Sequence, residues 1–511
     1  MTTTDAVHRY HDGTKHHFHG FARSLGYLDW ASQPNPFRSF HGAPPILLPG
    51  RPLAAARLLR HSLGLSAWKR LGRAHWSLRV NPSSGNLHPT EAYVIAGPMD
   101  GVSDRAGVYH YAADRHALER RCAFDGAAFG APADTSFLVA LTSIHWREAW
   151  KYGERAFRYC QHDLGHAIAA VRIGAALDDL EARLLPEWSH EDIAAVTGID
   201  RAGDYVDAEP EEPGCVLAIG PRAAGTNLPA REALLAAVRA GAWTGRASQL
   251  SEDHVQWTFI DEIAQATRDA GRAASAPRGH AASAAPYAAA VILQRRSAVA
   301  LDGVSSIPAD RFVDILRRAI PCGDTPPWDA LWWDARIHFA LFVHRVDGVD
   351  PGLYALVRSE AAIDRLREAC RRDFLWTRAH ADLPLFLLAR GDCRALARRL
   401  SCDQEIAADG FFSLGMIADF DASLHEFGAS FYRHLFWESG VVGQVLYLEA
   451  ESKGVRATGI GCFYDDPVHE ALGLAGHAFQ SLYHFTIGVA VEDTRLTTEP
   501  GYGWEHGRIK N

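Results

Sequence analysis

Four short clusters of residues stand out for the chemistry their types and spacing allow. "PSSGN" (Pro82, Ser83, Ser84, Gly85, Asn86) packs two hydroxyls, an amide and two turn formers directly ahead of the strand-like run "TEAYVI". Such a loop makes a turn or holds a ligand, and its composition leaves both open. "RRS" (Arg295, Arg296, Ser297) offers paired guanidinium donors that match phosphate oxygens, and an arginine pair also serves as an ordinary solvated surface. "TGIG" (Thr458, Gly459, Ile460, Gly461) carries glycines that let backbone N–H groups approach a flat ring closely. Lys151 and Tyr152 in "WKYGERA" form a pair able to hold and pass protons; a snorkelling lysine beside a packed tyrosine reads the same way.

The elements that must position these clusters come in two copies. Ser39 in "FRSF" and Ser297 in "RRSA" lie 258 residues apart, and "GVYHY" from Gly107 is echoed 245 residues later by "GLYAL" from Gly352. "FRYCQHDLGHAIAAVRIGAAL" (157–177) answers "YRHLFWESGVVGQVLYLEAES" (432–452), with Arg158/Arg433, Asp163/Glu438 and Gly165/Gly440 all at an offset of 275. Gly198 and Gly473 keep that offset, and "CVLAIG" and "YHFTIG" end at Gly220 and Gly488. A repeat on this scale predicts two homologous α+β halves. Both long segments are apolar around most of their circumference, which predicts two buried helices packed across a pseudo-twofold axis. The first half alone carries the serine loop; between Ser297 and Gly352 the second has "WDALWWDARIHF" (328–339), read as a core cluster.

Composition bounds the rest. With 511 residues, 48% of them apolar, the chain can bury a large core, and a net charge of −9 offers no field for nucleic acid. No stretch is long and apolar enough for a membrane span, and the N-terminal stretch lacks a secretion signal, so a cytoplasmic location is expected. The eight cysteines form no C-x-x-C pair and read as reduced thiols. His8, His11, His16, His17 and His19 occupy a polar stretch without matching acidic or cysteine ligands, so no metal is expected. "SEDHVQWTFIDEIAQAT" predicts a helix capped near Ser251, followed by an Ala/Gly/Pro-rich linker.

Taken together, "PSSGNLHP" before "TEAYVI", "WKYGERAFRYCQHDLGH" (150–166), "RRS", and "KGVRATGIGCFYDDPVHEALGL" (453–474) resemble the nitroreductase superfamily. The form "SSGNLHPTE" resembles its SagB-type branch of thiazole and oxazole dehydrogenases. The resemblance implies an α+β fold of two tandem nitroreductase-like domains, each a central antiparallel-rich sheet flanked by helices, forming an intramolecular pseudo-dimer. The first domain would span 1–250, the capped helix and linker 251–290, and the second domain 291–511. It also implies FMN bound at the junction: Pro82, Ser83, Ser84 and Asn86 from one side, Arg295, Arg296 and Ser297 on ribityl and phosphate groups, and Thr458, Gly459, Ile460 and Gly461 along the ring. Arg495 would meet the phosphate, and Lys151 and Tyr152 would be catalytic.

The loop's presence in one half predicts one FMN per chain. The implied activity is hydride transfer between flavin and a small molecule or modified peptide. Azoline oxidation within a peptide-modifying complex and a non-catalytic flavin-binding subunit are the alternatives. No G-x-G-x-x-G follows a strand, so any NAD(P)H would share the flavin pocket. A further homodimer stays open.

Overall fold

The computed structural model describes residues 2–50, 53–99, 103–129, 136–221, 228–273, 285–322 and 325–505. Its two main sheets repeat one topology. In the first half β1 (Thr90–Ala96), β2 (Ala106–Ala112), β3 (Ala117–Phe124), β4 (Phe137–Ser143), β5 (Leu180–Leu184) and β6 (Glu212–Pro221) lie in the order β3-β2-β1-β4-β6-β5. In the second, β7 (Ile337–Val343), β8 (Gly352–Leu356), β9 (Leu385–Arg390), β10 (Phe412–Asp419), β11 (Arg456–Ile460) and β12 (Phe479–Gly488) lie in the order β9-β8-β7-β10-β12-β11. Every neighbouring pair along these two orders is antiparallel. Helices cover both faces of each sheet, so runs such as "FLVALTS" of β4 are buried on consecutive residues instead of alternating.

The two long helices, α1 (Ala156–Ala176) and α2 (Phe431–Ser452), form the centre of the molecule. All of α1 is buried, as is all of α2 up to its last residue. They cross at the matched glycines. A Cβ on Gly165 would stand 2.2 Å from the Trp437 carbonyl oxygen, and one on Gly440 would stand 2.2 Å from the His162 carbonyl oxygen. Neither position tolerates a side chain, because the obstacle is backbone. Conserved spacing reaches the caps too: Gly198 and Gly473 end the helices His190–Thr197 and Asp465–Leu472 in the left-handed conformation, at φ 74° and 80°. Charges cross between the halves: Arg158 pairs with Asp465, and Arg433 pairs with Glu212.

Three features depart from the sequence reading. The helix expected to start at Ser251 runs from Thr258 to Ala266 with no side-chain cap; Ser251 instead accepts a bond from the Trp146 indole and donates to the Ser32 carbonyl. Burial of Trp257 and Ile260 draws the helix start inward. The N-terminal histidines do meet partners, supplied by the second half. Thr3–Gly13 is a capped helix whose His11 bonds Gln480 and Tyr432, and His8 meets Asp421. Finally, the strand Thr497–Pro500 returns to the first half and pairs with Leu65–Leu71, which pairs with Ala74–Arg79. The middle of the expected linker, 274–284, lies outside the described residues. Among the described residues no helix is long and apolar enough to cross a membrane.

Candidate active site at the junction of the halves

A cavity of about 670 Å³ opens where the two halves meet, within the range of small-molecule and cofactor sites. Pro82, Ser83, Ser84 and Asn86 line one side, and Arg295, Arg296, Ser297, Thr458, Gly459, Ile460 and Gly461 the other. The returning three-stranded sheet adds Lys69, Trp76 and Arg79. Tyr152 also lines it; Lys151 is exposed at its edge, with its ammonium 5.2 Å from the Tyr152 ring centre. Arg495 is not brought to the wall. Its guanidinium stays 75% exposed and is held by the carboxylate of Asp493, two residues before it.

The cationic end is built from the "RRS" segment. Arg295 is buried; its Nε and Nη2 donate to the carbonyls of Val80 and Arg79, and its Nη1 is buried with no partner. Burial holds its pKa down at about 10. Arg296 is held down at about 9 by burial and then by the charge of Arg295, and burial with the nearby Arg296 lowers Lys69 as well. Neither guanidinium of the pair faces a carboxylate among the described residues: their hydrogen bonds go to carbonyls and to Ser66. A buried arginine pair without an ion-pair partner is an anion site in its chemistry.

Across the cavity the chain packs glycines against aromatic rings. Ser297 Oγ and the Gly459 N–H both donate to the Tyr447 hydroxyl, at 2.9 and 3.0 Å. A Cβ on Gly459 would collide with the Tyr483 hydroxyl at 1.9 Å, and one on Gly461 with the Tyr159 ring at 2.4 Å.

The serine loop turns its polar groups onto two buried acids that sequence reasoning missed. The Ser84 N–H and hydroxyl donate to Asp163 at 2.9 and 3.0 Å, and the Ser83 hydroxyl lies 3.4 Å from Glu148. Ser83 Oγ also accepts the His88 N–H. Burial pushes Asp163 up to about 7, and burial together with the negative charge of Asp163 pushes Glu148 well above the usual carboxylate range. The pair therefore retains a proton near neutral pH. Asp163 had been visible only as a repeat landmark. Glu148 lies on the preceding helix His145–Tyr152, which Gly153, at φ 55°, folds back onto α1.

A measurable consequence follows for stability. Asp163 has a folded pKa raised from 3.8 to about 7, so the stability it contributes is fully present below about pH 4 and is lost as pH rises through about 7. An Asp163→Asn chain is expected to lose that dependence, removing a fall of up to about 4 kcal/mol in unfolding free energy between about pH 4 and 7, read by urea unfolding. An unchanged profile overturns the raised pKa of Asp163.

At the pseudo-symmetric position the corresponding charges are paired. Glu438, the counterpart of Asp163, accepts the N–H groups of Arg336 and Ile337 and the Trp333 indole, and is neutralised by Arg358. Arg172, the counterpart of Tyr447, pairs with Asp329, and Trp328 and Trp333 are buried in the core. Arg38, the counterpart of Arg296, is matched by Glu211 at 3.5 Å and Glu209 at 3.9 Å.

No protein-family model matches the chain, and no curated protein matches it. Among solved structures, a protein of Anabaena variabilis bearing a nitroreductase name aligns over 95% of this chain and 99% of its own, with a TM-score of 0.71 at 22% identity. The chain has the nitroreductase fold. Smaller parts align with an E. coli microcin synthetase complex (15% identity, 39% of this chain and 69% of that one, TM-score 0.29) and an FMN-dependent nitroreductase of Clostridium difficile (12%, 43% and 94%, TM-score 0.24). Scores that low bear only on partial shape.

Proposed function

We propose that this protein is an FMN-dependent oxidoreductase that transfers hydride between the flavin and a small molecule or modified peptide, with one FMN per chain in the junction cavity. The observation that carries the reading is Arg295 Nη1, a buried donor without a partner in an arginine pair, Arg295 and Arg296, that makes no ion pair among the described residues. A phosphate monoester supplies the missing charge and acceptors. Arg295, Arg296 and Lys69 would hold the phosphate, Ser297 and Asn86 would border the ribityl chain, and Thr458, Gly459, Ile460 and Gly461 would lie along the ring.

FMN supplies the hydride chemistry when bound. The chain's own task is then to orient substrate and manage protons. Tyr152, whose hydroxyl lies 2.7 Å from where a Gly85 Cβ would be, stays protonated well above neutral pH because it is buried. It would donate its proton at the hydroxyl, with Lys151 beside it and the Asp163–Glu148 pair behind the loop as proton store. The paired charges at the counterpart position support a single site.

Reconstitution with excess FMN followed by gel filtration tests this: about one flavin per chain is expected, with riboflavin held at least about 100-fold more weakly because it lacks the phosphate. A ratio near two, or no retained flavin, overturns it.

A further inference from the structure

Three residues far apart in sequence meet behind the "TGIG" segment. The Cys402 and Cys462 sulfurs lie 2.8 Å apart in hydrogen-bond contact, and His16 Nδ1 lies 3.7 Å from the Cys462 sulfur. The ligand atoms of all three fall within 4.8 Å of one another. Cys462 follows Gly461 directly and lines the junction cavity, and both cysteines are half-buried. Cys402 sits in the left-handed region at φ 54°, in the turn after the helix Arg394–Leu400.

Two chemistries suit such a cluster. Zinc bound by two thiolates at about 2.3 Å in tetrahedral geometry holds its sulfurs about 3.8 Å apart, whereas a disulfide bond needs about 2.05 Å. At 2.8 Å the two sulfurs already lie inside ordinary van der Waals contact and on the disulfide side of that range. We propose that Cys402 and Cys462 are a redox-active dithiol that exchanges with a small disulfide entering from the junction cavity, Cys462 being the attacking sulfur. The inference does not depend on FMN.

Electrostatics agree with that division of labour. The bond from Cys402, and then the Arg155 guanidinium, lower the Cys462 thiol, whereas the same bond and burial raise Cys402. Burial, with Arg155 next, pushes His16 down to about 3, so its imidazole is neutral beside Cys462. Arg155 is fixed there by Asp465 at 2.9 Å. By contrast, burial pushes Cys122 and Cys370 up to about 12, and Cys160 and Cys215 are buried.

The step balances. The Cys462 thiolate attacks one sulfur of the small disulfide, forming a mixed disulfide and releasing one thiolate. Cys402 gives its proton to that thiolate and attacks the Cys462 sulfur, releasing the second thiolate. Two electrons pass from the protein dithiol to the small disulfide, which leaves as one thiol and one thiolate.

The full chain, equilibrated in glutathione buffers of increasing oxidised fraction, then acid-quenched, alkylated and digested, tests this. The expected result is one two-electron step that joins the Cys402 and Cys462 peptides. Cys402→Ser should trap a glutathione adduct on Cys462 at least about tenfold more than Cys462→Ser traps on Cys402. If either variant fails to fold, alkylation of the reduced wild type at pH 7 should label Cys462 at least about tenfold faster than Cys370. The proposal is overturned if exposed Cys322 becomes fully glutathionylated while the link never forms, if Cys462 reacts no faster than Cys370, or if the purified chain holds one zinc per molecule that shields both thiols.

Discussion

An Arg295→Met chain is expected to bind FMN about 30- to 1,000-fold more weakly and, in its flavin-free form, to unfold at a higher temperature than the parent. The two effects have one cause. Arg295 is buried with one donor unsatisfied, and even with two carbonyl bonds made its pKa falls from 12.5 to about 10, so the flavin-free fold disfavours its charge. Methionine keeps an unbranched apolar stem against the Tyr447 ring, which the guanidinium faces at 5.0 Å, and removes the uncompensated charge. A gain of about 1–3 kcal/mol is the usual scale for such replacements. The affinity loss corresponds to roughly 2–4 kcal/mol, the scale of charge-assisted bonds to a phosphate. Flavin titration by fluorescence quenching and calorimetric melting of the same flavin-free sample check both signs. A variant that melts lower and keeps its affinity would show that Arg295 is structural.

The second large effect falls at the helix crossing. Gly165→Ala and Gly440→Ala are each expected to destabilise the chain by about 3–5 kcal/mol, because each new Cβ would stand 2.2 Å from a carbonyl oxygen of the other helix. The pair should be non-additive by at least about 1 kcal/mol: once one methyl has moved α1 and α2 apart, the second finds space already made. The cavity should suffer with the crossing, since α1 carries Asp163 and His166 and α2 carries Tyr447. Gly203→Ala, where nothing stands within 4 Å of the new Cβ, is the matched control and should stay within about 0.5 kcal/mol. Urea unfolding of the four chains measures the cycle, and full additivity would mean the glycines act separately.

How much was legible in advance differs by the range of the physics involved. Periodicity and capping are local, so the doubled architecture could be read directly: the 275-residue offset picked out α1 and α2, the glycines at their crossing, and the left-handed caps at Gly198 and Gly473. The serine loop and the "RRS" and "TGIG" segments were recognisable because each is a contiguous string, and they do line one cavity. Arg495 shows the limit of that approach. A matching position near the C-terminus did not foretell that Asp493 would hold its guanidinium outside the cavity.

What sequence determined by itself was therefore the fold class, the repeat of landmarks whose strands fold with one topology, and which half carries the polar loop. Tertiary structure alone decided which charges are matched. Arg296 and Arg38 occupy equivalent positions in the repeat, yet Arg38 lies among Glu209 and Glu211 while Arg296 faces other cations. It also decided that Glu148 and Asp163 lie buried together, with burial raising both, and that His16, Cys402 and Cys462 meet. Desolvation and Coulomb interaction depend on distances through space, which no spacing along the chain encodes.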